Sequence, residues 1–240
     1  MPTALVTGAG VRVGRAIARA LAESGHDLIL HAHASTTAAD ENATYARGLG
    51  RHAHVVQADL ATEAGVHTLV TACTNHTSAL DLVVHNAALF ERVPFTSITR
   101  AQHARMMAVN TDAPFFVTQA LLPLLSSSPA PCVIFIGDIA GDRPMKHYAH
   151  YSVSKAGALM LMRALAVELG PHIRVNAVSP GTVMFPEDFD DGAKKAILAR
   201  VPLAREGSAE DVARAVLFLA REPYLSGVNL PVDGGRAVTF

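Results

Sequence analysis

Cysteine, charge and long apolar runs are all scarce in this chain, and each shortage removes a class of function. Cys73 and Cys132 are the two cysteines among 240 residues and show no C-x-x-C spacing, so neither a disulfide framework nor a thiolate metal knuckle can be assembled. Twenty Lys and Arg face 21 Asp and Glu, for a formal net charge of -1, and no block of like charges occurs. Nucleic acid and other polyanions therefore have no electrostatic anchor. The richest apolar stretch, 156–169, is broken by Arg163 and Glu168, so no membrane-spanning helix is expected. The opening MPTALVTG has neither the basic stretch nor the apolar core of a targeting segment, and a reducing cytoplasm is the expected compartment. The 12 histidines form no H-E-x-x-H motif or Cys/His cluster, and no metal is expected.

What is abundant is packed apolar sequence: 50% of the residues are hydrophobic and 17% charged, a globular composition. Short Val/Ile/Leu runs alternate with segments of helical period, the pattern of a parallel sheet with crossover helices. Strands are expected at 3–7, 27–33, 52–57, 80–85, 132–137, 173–178 and 228–232, and helices near 12–24, 36–49, 62–77, 98–125, 150–169, 191–200 and 208–221. No repeat or internal boundary interrupts them. The expectation is one α/β domain over residues 1–240, a Rossmann-like doubly wound fold whose seven-stranded parallel sheet is flanked by helices on both faces. Ligands of such sheets bind beyond the carboxyl ends of the strands, so chemistry is sought there.

The first strand runs into Thr7-Gly8-Ala9-Gly10-Val11-Arg12-Val13-Gly14 and then a helix. Glycines in such a turn let backbone N–H groups and the positive helix end approach a pyrophosphate, although an ordinary tight connection uses glycine too. Arg12 and Arg15 stand in the first helical turn, where the macrodipole disfavours a cation by roughly 0.3–1 kcal/mol; an anionic ligand would reverse that sign. After the second strand come His31-Ala32-His33-Ala34-Ser35. No carboxylate is there to repel a 2′-phosphate, and Arg12, His33 and Ser35 can donate to one, which favours NADP(H) over NAD(H). Ser35 or Thr37 would also serve as a helix cap.

Tyr151 and Lys155 are four apart at the start of a strongly helical segment and so share a face. An ammonium near a phenol favours the phenolate, which would let Tyr151 exchange a proton near neutral pH. Together with the glycine turn, His85-Asn86-Ala87-Ala88, Asn110 and Pro180-Gly181, this set resembles the short-chain dehydrogenase/reductase family from Thr3 to about Gly235. The resemblance implies cofactor contacts at Gly8, Val13, Leu60, Asn86, Ala87, Tyr151, Lys155, Pro180 and Gly181, with Asp59 beside the adenine and Asn110 supporting a proton relay through Lys155. It also implies a homotetramer, with the stretch Val232 to Arg236 near subunit contacts.

Two departures narrow the resemblance. The family usually has glycine where Arg12 stands and serine where Asp138 stands; both substitutions, and the cluster His31, His33, Ser35, resemble its pteridine reductase branch, whose arginine before the serine is Ala34 here. Phe90 matches the aromatic that stacks on the pterin in that branch, or is a loop hydrophobe packing on the core. Asp138, held protonated by desolvation, would hand a proton to the nitrogen of a C=N bond, or merely caps the turn 138–142. The same resemblance implies that the segment 182–191 covers the substrate, the alternative being an ordinary surface loop, and Leu159 to Met162 read as core packing. The expected activity is NADPH-dependent reduction of a pterin C=N bond, of the dihydropteridine or dihydrofolate type, with Asp138, Tyr151, Lys155 and Asn110 catalytic and Phe90 against the substrate. The alternatives are a carbonyl or 3-oxoacyl thioester reductase and a noncatalytic NADP(H)-binding protein.

Overall fold

The computed structural model describes residues 1–185 and 190–239. The short apolar runs become strands β1 (Thr3–Val6), β2 (Asp27–Ala32), β3 (Ala53–Gln57), β4 (Leu82–His85), β5 (Cys132–Ile136), β6 (Arg174–Pro180) and β7 (Asn229–Val232). They form one sheet in the order β3-β2-β1-β4-β5-β6-β7, and every neighbouring pair is parallel. The fourth strand starts at Leu82 rather than at residue 80. Leu80 N donates instead to Leu124 O, and the Asp81 carboxylate accepts from Thr3 N, which ties the loop to its neighbours before pairing begins.

The helices are α1 (Arg12–Glu23), α2 (Thr36–Gly48), α3 (Glu63–His76), α4 (Arg100–Met107), α5 (Ala113–Ser126), α6 (Ala149–Glu168), α7 (Asp191–Leu198) and α8 (Ala209–Arg221). Alternate strand residues point to opposite faces. Ala4 and Val6 join Ile17, Leu21, Val212 and Val216 under α1 and α8, while Leu5 joins Leu69, Leu121 and Leu159 under α3, α5 and α6. Both faces are thus covered, which is why the strands read as continuous apolar runs instead of alternating ones. Each fully buried Leu or Ile contributes about 1.5–3 kcal/mol relative to exposure.

The helix expected at 98–125 spans nearly that range but is not uniform. A capping box of Thr99 and Gln102 starts α4, and a π-helical turn over Ala108–Asp112 links it directly to α5. The wider turn re-aims the side chains within it, and Asn110 is one of them. Because the chain leaves β1 towards β2 while β4 pairs on the other side of β1, the topological switch point lies between β1 and β4. Among the described residues no helix is long and apolar enough to cross a membrane.

Candidate active site

The glycine turn sits at that switch point and is built for close approach. Gly8 has φ +64°, and a Cβ on Gly14 would lie 2.0 Å from Gly8 O, so only glycine permits α1 to start so near the strand. The Asn86 amide donates to Thr7 O at 3.0 Å and Gly8 O at 2.9 Å, while the Thr7 hydroxyl accepts from the N–H groups of Asn86 and Ala87. Asn42, which motif reading misses, is buried in α2 and donates to Ala9 O at 2.9 Å and Gly10 O at 3.0 Å. Its signal in the sequence is a polar residue on the face carrying the buried Ala39, Ala43 and Ala46.

His31 belongs to this supporting frame and also lines the cleft that opens above the turn. It is buried, accepts from Gly8 N at Nδ1 (3.2 Å) and donates from Nε2 to Ala58 O (3.0 Å), so both nitrogens are committed. Burial pushes its pKa down, consistent with a neutral ring.

A cleft of about 440 Å³ opens above the turn. It gathers Gly8, Arg12 and Val13, then His33 and Ser35 after β2, Asp59 and Leu60 after β3, and Asn86 and Ala87 after β4. The Ser35 hydroxyl makes no capping bond to α2, which leaves it available to a ligand. Arg12 adopts the left-handed region at φ +51°, and its guanidinium donates to Met184 O in the loop after β6, so it crosses the cleft mouth and makes no bond to Ser35. Arg105 of α4, not anticipated, lines the same cleft. Its Nη1 lies 3.4 Å from Asp59 Oδ2, and His33 Nε2 lies 3.9 Å from the same oxygen. The Ala61 N–H, then Arg105 and His33, hold Asp59 below its usual range. Pro180 ends β6 and Gly181 follows it, both outside this cleft, with Gly181 N donating to Val232 O. Of the expected covering segment, residues 186–189 lie outside the described residues. A larger cavity of about 590 Å³, near Thr182, Pro202 and Asp233, holds none of the expected catalytic groups.

Tyr151 and Lys155 project from the first turns of α6, both buried. The Tyr151 hydroxyl donates to Asp138 Oδ2 at 2.6 Å, and Asp138 Oδ1 accepts from Ala140 N at 2.7 Å. Asp138 therefore caps its turn and engages the phenol at once. Lys155 Nζ donates to Ile136 O at 2.9 Å and stands 5.8 Å from the Tyr151 ring centroid. Asn110 makes no bond to Lys155; it donates to Leu89 O and Ser154 Oγ and accepts from Leu89 N, fastening α6 to the loop after β4.

The electrostatics correct one expectation. The Tyr151 phenol is raised well above its ordinary value, not depressed: burial disfavours the phenolate first, and the adjacent Asp138 adds to that. Burial likewise raises Asp138, against the Tyr151 and Ala140 hydrogen bonds and the charges of Lys155 and Arg236. Lys155 is lowered to about 8 by burial, with Asp138 opposing. Phe90, 58% exposed, stacks on Tyr148 at 4.7 Å and meets the Tyr151 ring edge-on at 4.8 Å. Tyr148 is a further residue that motif reading misses; it stands three positions before Tyr151 in the sequence.

A family model described as enoyl-(acyl carrier protein) reductase, of the short-chain alcohol dehydrogenase type, matches residues 8–237. The chain belongs to the short-chain dehydrogenase/reductase family. Among its relatives in this family, L-xylulose reductase of Bos taurus is 36% identical over 98% of this chain and 96% of that protein. The rhamnolipids biosynthesis 3-oxoacyl-[acyl-carrier-protein] reductase of Pseudomonas aeruginosa is 35% identical over 97% and 94%. The structure of the angucycline C-6 ketoreductase LanV with bound NADP superposes with a TM-score of 0.91 at 27% identity, covering 99% and 96% of the two chains. This short-chain dehydrogenase/reductase is thus an NAD(P)-dependent oxidoreductase. These relatives act on ketones or sugars by name, and the pteridine reductase branch expected from Arg12 and Asp138 is not represented among them.

Proposed function

We propose that this protein reduces a ketone carbonyl to a hydroxyl with NADPH. The single observation that carries the reading is the part-buried Tyr151–Asp138 hydrogen bond at 2.6 Å, one helical turn from a buried Lys155. The names of the relatives support a carbonyl over other acceptors.

The cleft suits a dinucleotide: Gly14 admits nothing larger, and Gly8, Val11, Arg12 and Val13 line it at the start of α1. Gly8, Arg12 and Val13 would hold the pyrophosphate region, Ser35 and His33 a 2′-phosphate, Asp59 and Leu60 the adenine, and Asn86, Ala87, Pro180 and Gly181 the remainder. When bound, the reduced nicotinamide supplies the hydride. Tyr151 supplies the proton. Its raised pKa keeps the phenol protonated across neutral pH, so it donates to the carbonyl oxygen as negative charge develops there. Lys155 offers a nearby positive charge to the phenolate that remains.

Asp138 completes the site in one protonation state. As a carboxylate it only accepts, and in the resting geometry it accepts the Tyr151 proton. A carbonyl oxygen needs donors, so Asp138 must be protonated to hold it, and burial favours that form. Substrate binding then exchanges the Tyr151–Asp138 bond for two bonds to one oxygen.

Pterin reduction is the second reading, and Phe90 is the observation that favours it. Its exposed ring stands beside Tyr151 with Tyr148 stacked behind it, a platform for a planar heterocycle. The expected homotetramer also stays within this proposal. Oxidation of NADPH and of NADH with small ketones, a 3-oxoacyl thioester, a dihydropterin and dihydrofolate separates the readings. Turnover of a pterin without turnover of any ketone would replace the first reading with the second.

A further inference from the structure

Asp138, Thr182 and Arg236 follow the carboxyl ends of β5, β6 and β7, on the far side of the switch point from the adenosine half of the cleft. The turn after β7 is rigidly made. Gly234 and Gly235, at φ +64° and +86°, reverse the chain, and the Asp233 carboxylate accepts from Gly235 N at 2.9 Å and Ala237 N at 2.6 Å. A Cβ on Gly181 would lie 2.5 Å from Asp233 Cβ, so the turns after β6 and β7 are packed against each other. Within this frame the half-buried Arg236 donates to the Thr182 hydroxyl.

Arg236 forms no ion pair among the described residues. The carboxyls that act on it are Asp138 and Asp233, the second of which is already taken by two backbone N–H groups. Asp138 gives no countercharge once protonated, which is the form that carbonyl reduction needs. The half-buried guanidinium then keeps the Thr182 hydroxyl as its hydrogen-bond partner but forms no ion pair at the carboxyl ends of β5 to β7, an arrangement that favours an anionic ligand.

We infer that Arg236, supported by Thr182, is the anion-accepting end of the substrate site, and that it selects ketones carrying a carboxylate near the reacting carbonyl. The inference rests on the carbonyl-reduction reading for what happens to the bound ketone, but not for the recognition itself. Recognition and proton loading reinforce each other. The titratable and charged groups acting on Asp138 are Tyr151, Lys155 and Arg236, and an anion seated on Arg236 offsets the charge that otherwise opposes protonation of Asp138.

The test is equilibrium binding of a 3-oxo carboxylate and its methyl ester to the protein, with and without NADPH, alongside steady-state turnover of both. Wild type should bind the carboxylate more tightly, and Arg236→Gln should erase that preference by about tenfold to a hundredfold, the range for one charge-assisted hydrogen bond. Arg236→Lys should keep part of the preference, and Thr182→Val, which spares the charge, should weaken it less than Arg236→Gln. Ester affinity should be unchanged throughout, which also shows that the variants fold. Equal affinity of wild type for acid and ester, or equal losses for both in Arg236→Gln, would overturn the inference. Preferential carboxylate binding without turnover would leave the inference standing and defeat the carbonyl-reduction reading.

Discussion

Replacing Asp138 by an asparagine removes an ionisation and little else, so its effect on the pH profile can be worked out from the structure. The amide keeps an oxygen for Ala140 N and presents an N–H₂ that donates at every pH. In wild type the carboxyl must be protonated to donate, and its pKa lies above its ordinary 3.8 because it is buried. Its protonated fraction falls as pH rises through that raised value, so kcat/KM should fall about tenfold per pH unit beyond it, or about 1.36 kcal/mol per unit. Lys155 loses its charge near pH about 8 and adds a second decline there. Asp138→Asn should therefore flatten the first limb and keep the second. The same substitution has a stability signature of defined sign. A carboxyl whose pKa is raised by folding favours the native state at acid pH, and that contribution is lost as pH climbs through the folded value. The amide never ionises, so the variant's Tm should exceed that of wild type at neutral pH and converge with it in acid. Identical pH–rate profiles, recorded as initial rates of NADPH oxidation, would refute the role given to Asp138.

Further outcomes follow from the cofactor cleft. Ser35→Asp places a carboxylate where a 2′-phosphate would lie and should shift the ratio of kcat/KM for NADPH over NADH by about tenfold or more towards NADH; an unchanged ratio would remove Ser35 from phosphate recognition. Gly14→Ala brings a methyl to 2.0 Å from Gly8 O and should lower Tm and abolish NADPH binding, read by thermal melting and by fluorescence titration. Asn42→Ala leaves the carbonyls of Ala9 and Gly10 without their donor, at a cost of about 1–3 kcal/mol in unfolding free energy, with weaker NADPH binding as a second readout.

The strands are legible because a sheet covered on both faces demands uninterrupted apolar runs such as Cys132 to Ile136, and the active-site helix because Tyr151 and Lys155 share a face. What escapes a reading of the sequence depends on contacts distant along the chain. The π-helical turn around Asn110 leaves the surrounding helical pattern intact, so the segment reads as one helix. Asn42 is a polar residue in a helix, and its meaning appears only when the Gly8–Gly10 turn is brought onto it. His31 and Ser35 belong to one short motif, yet their positions relative to the sheet make the first a support for the turn and leave the hydroxyl of the second open to the cleft. The direction of the Tyr151 shift is misjudged from sequence because a neighbour four residues away is visible there, whereas Asp138, 13 residues away and hydrogen-bonded to the phenol, acts through the fold. Arg12 and Asp138 point to a pteridine reductase branch that the relatives do not represent.

The measurement nearest the central claim is reduction of a ketone by NADPH in wild type and in Tyr151→Phe, with NADPH affinity determined for both. Turnover in wild type that drops by about 10²- to 10⁴-fold in the variant, at unchanged NADPH affinity, is the predicted result. Equal turnover by the two proteins would contradict the assignment of Tyr151 as the proton donor.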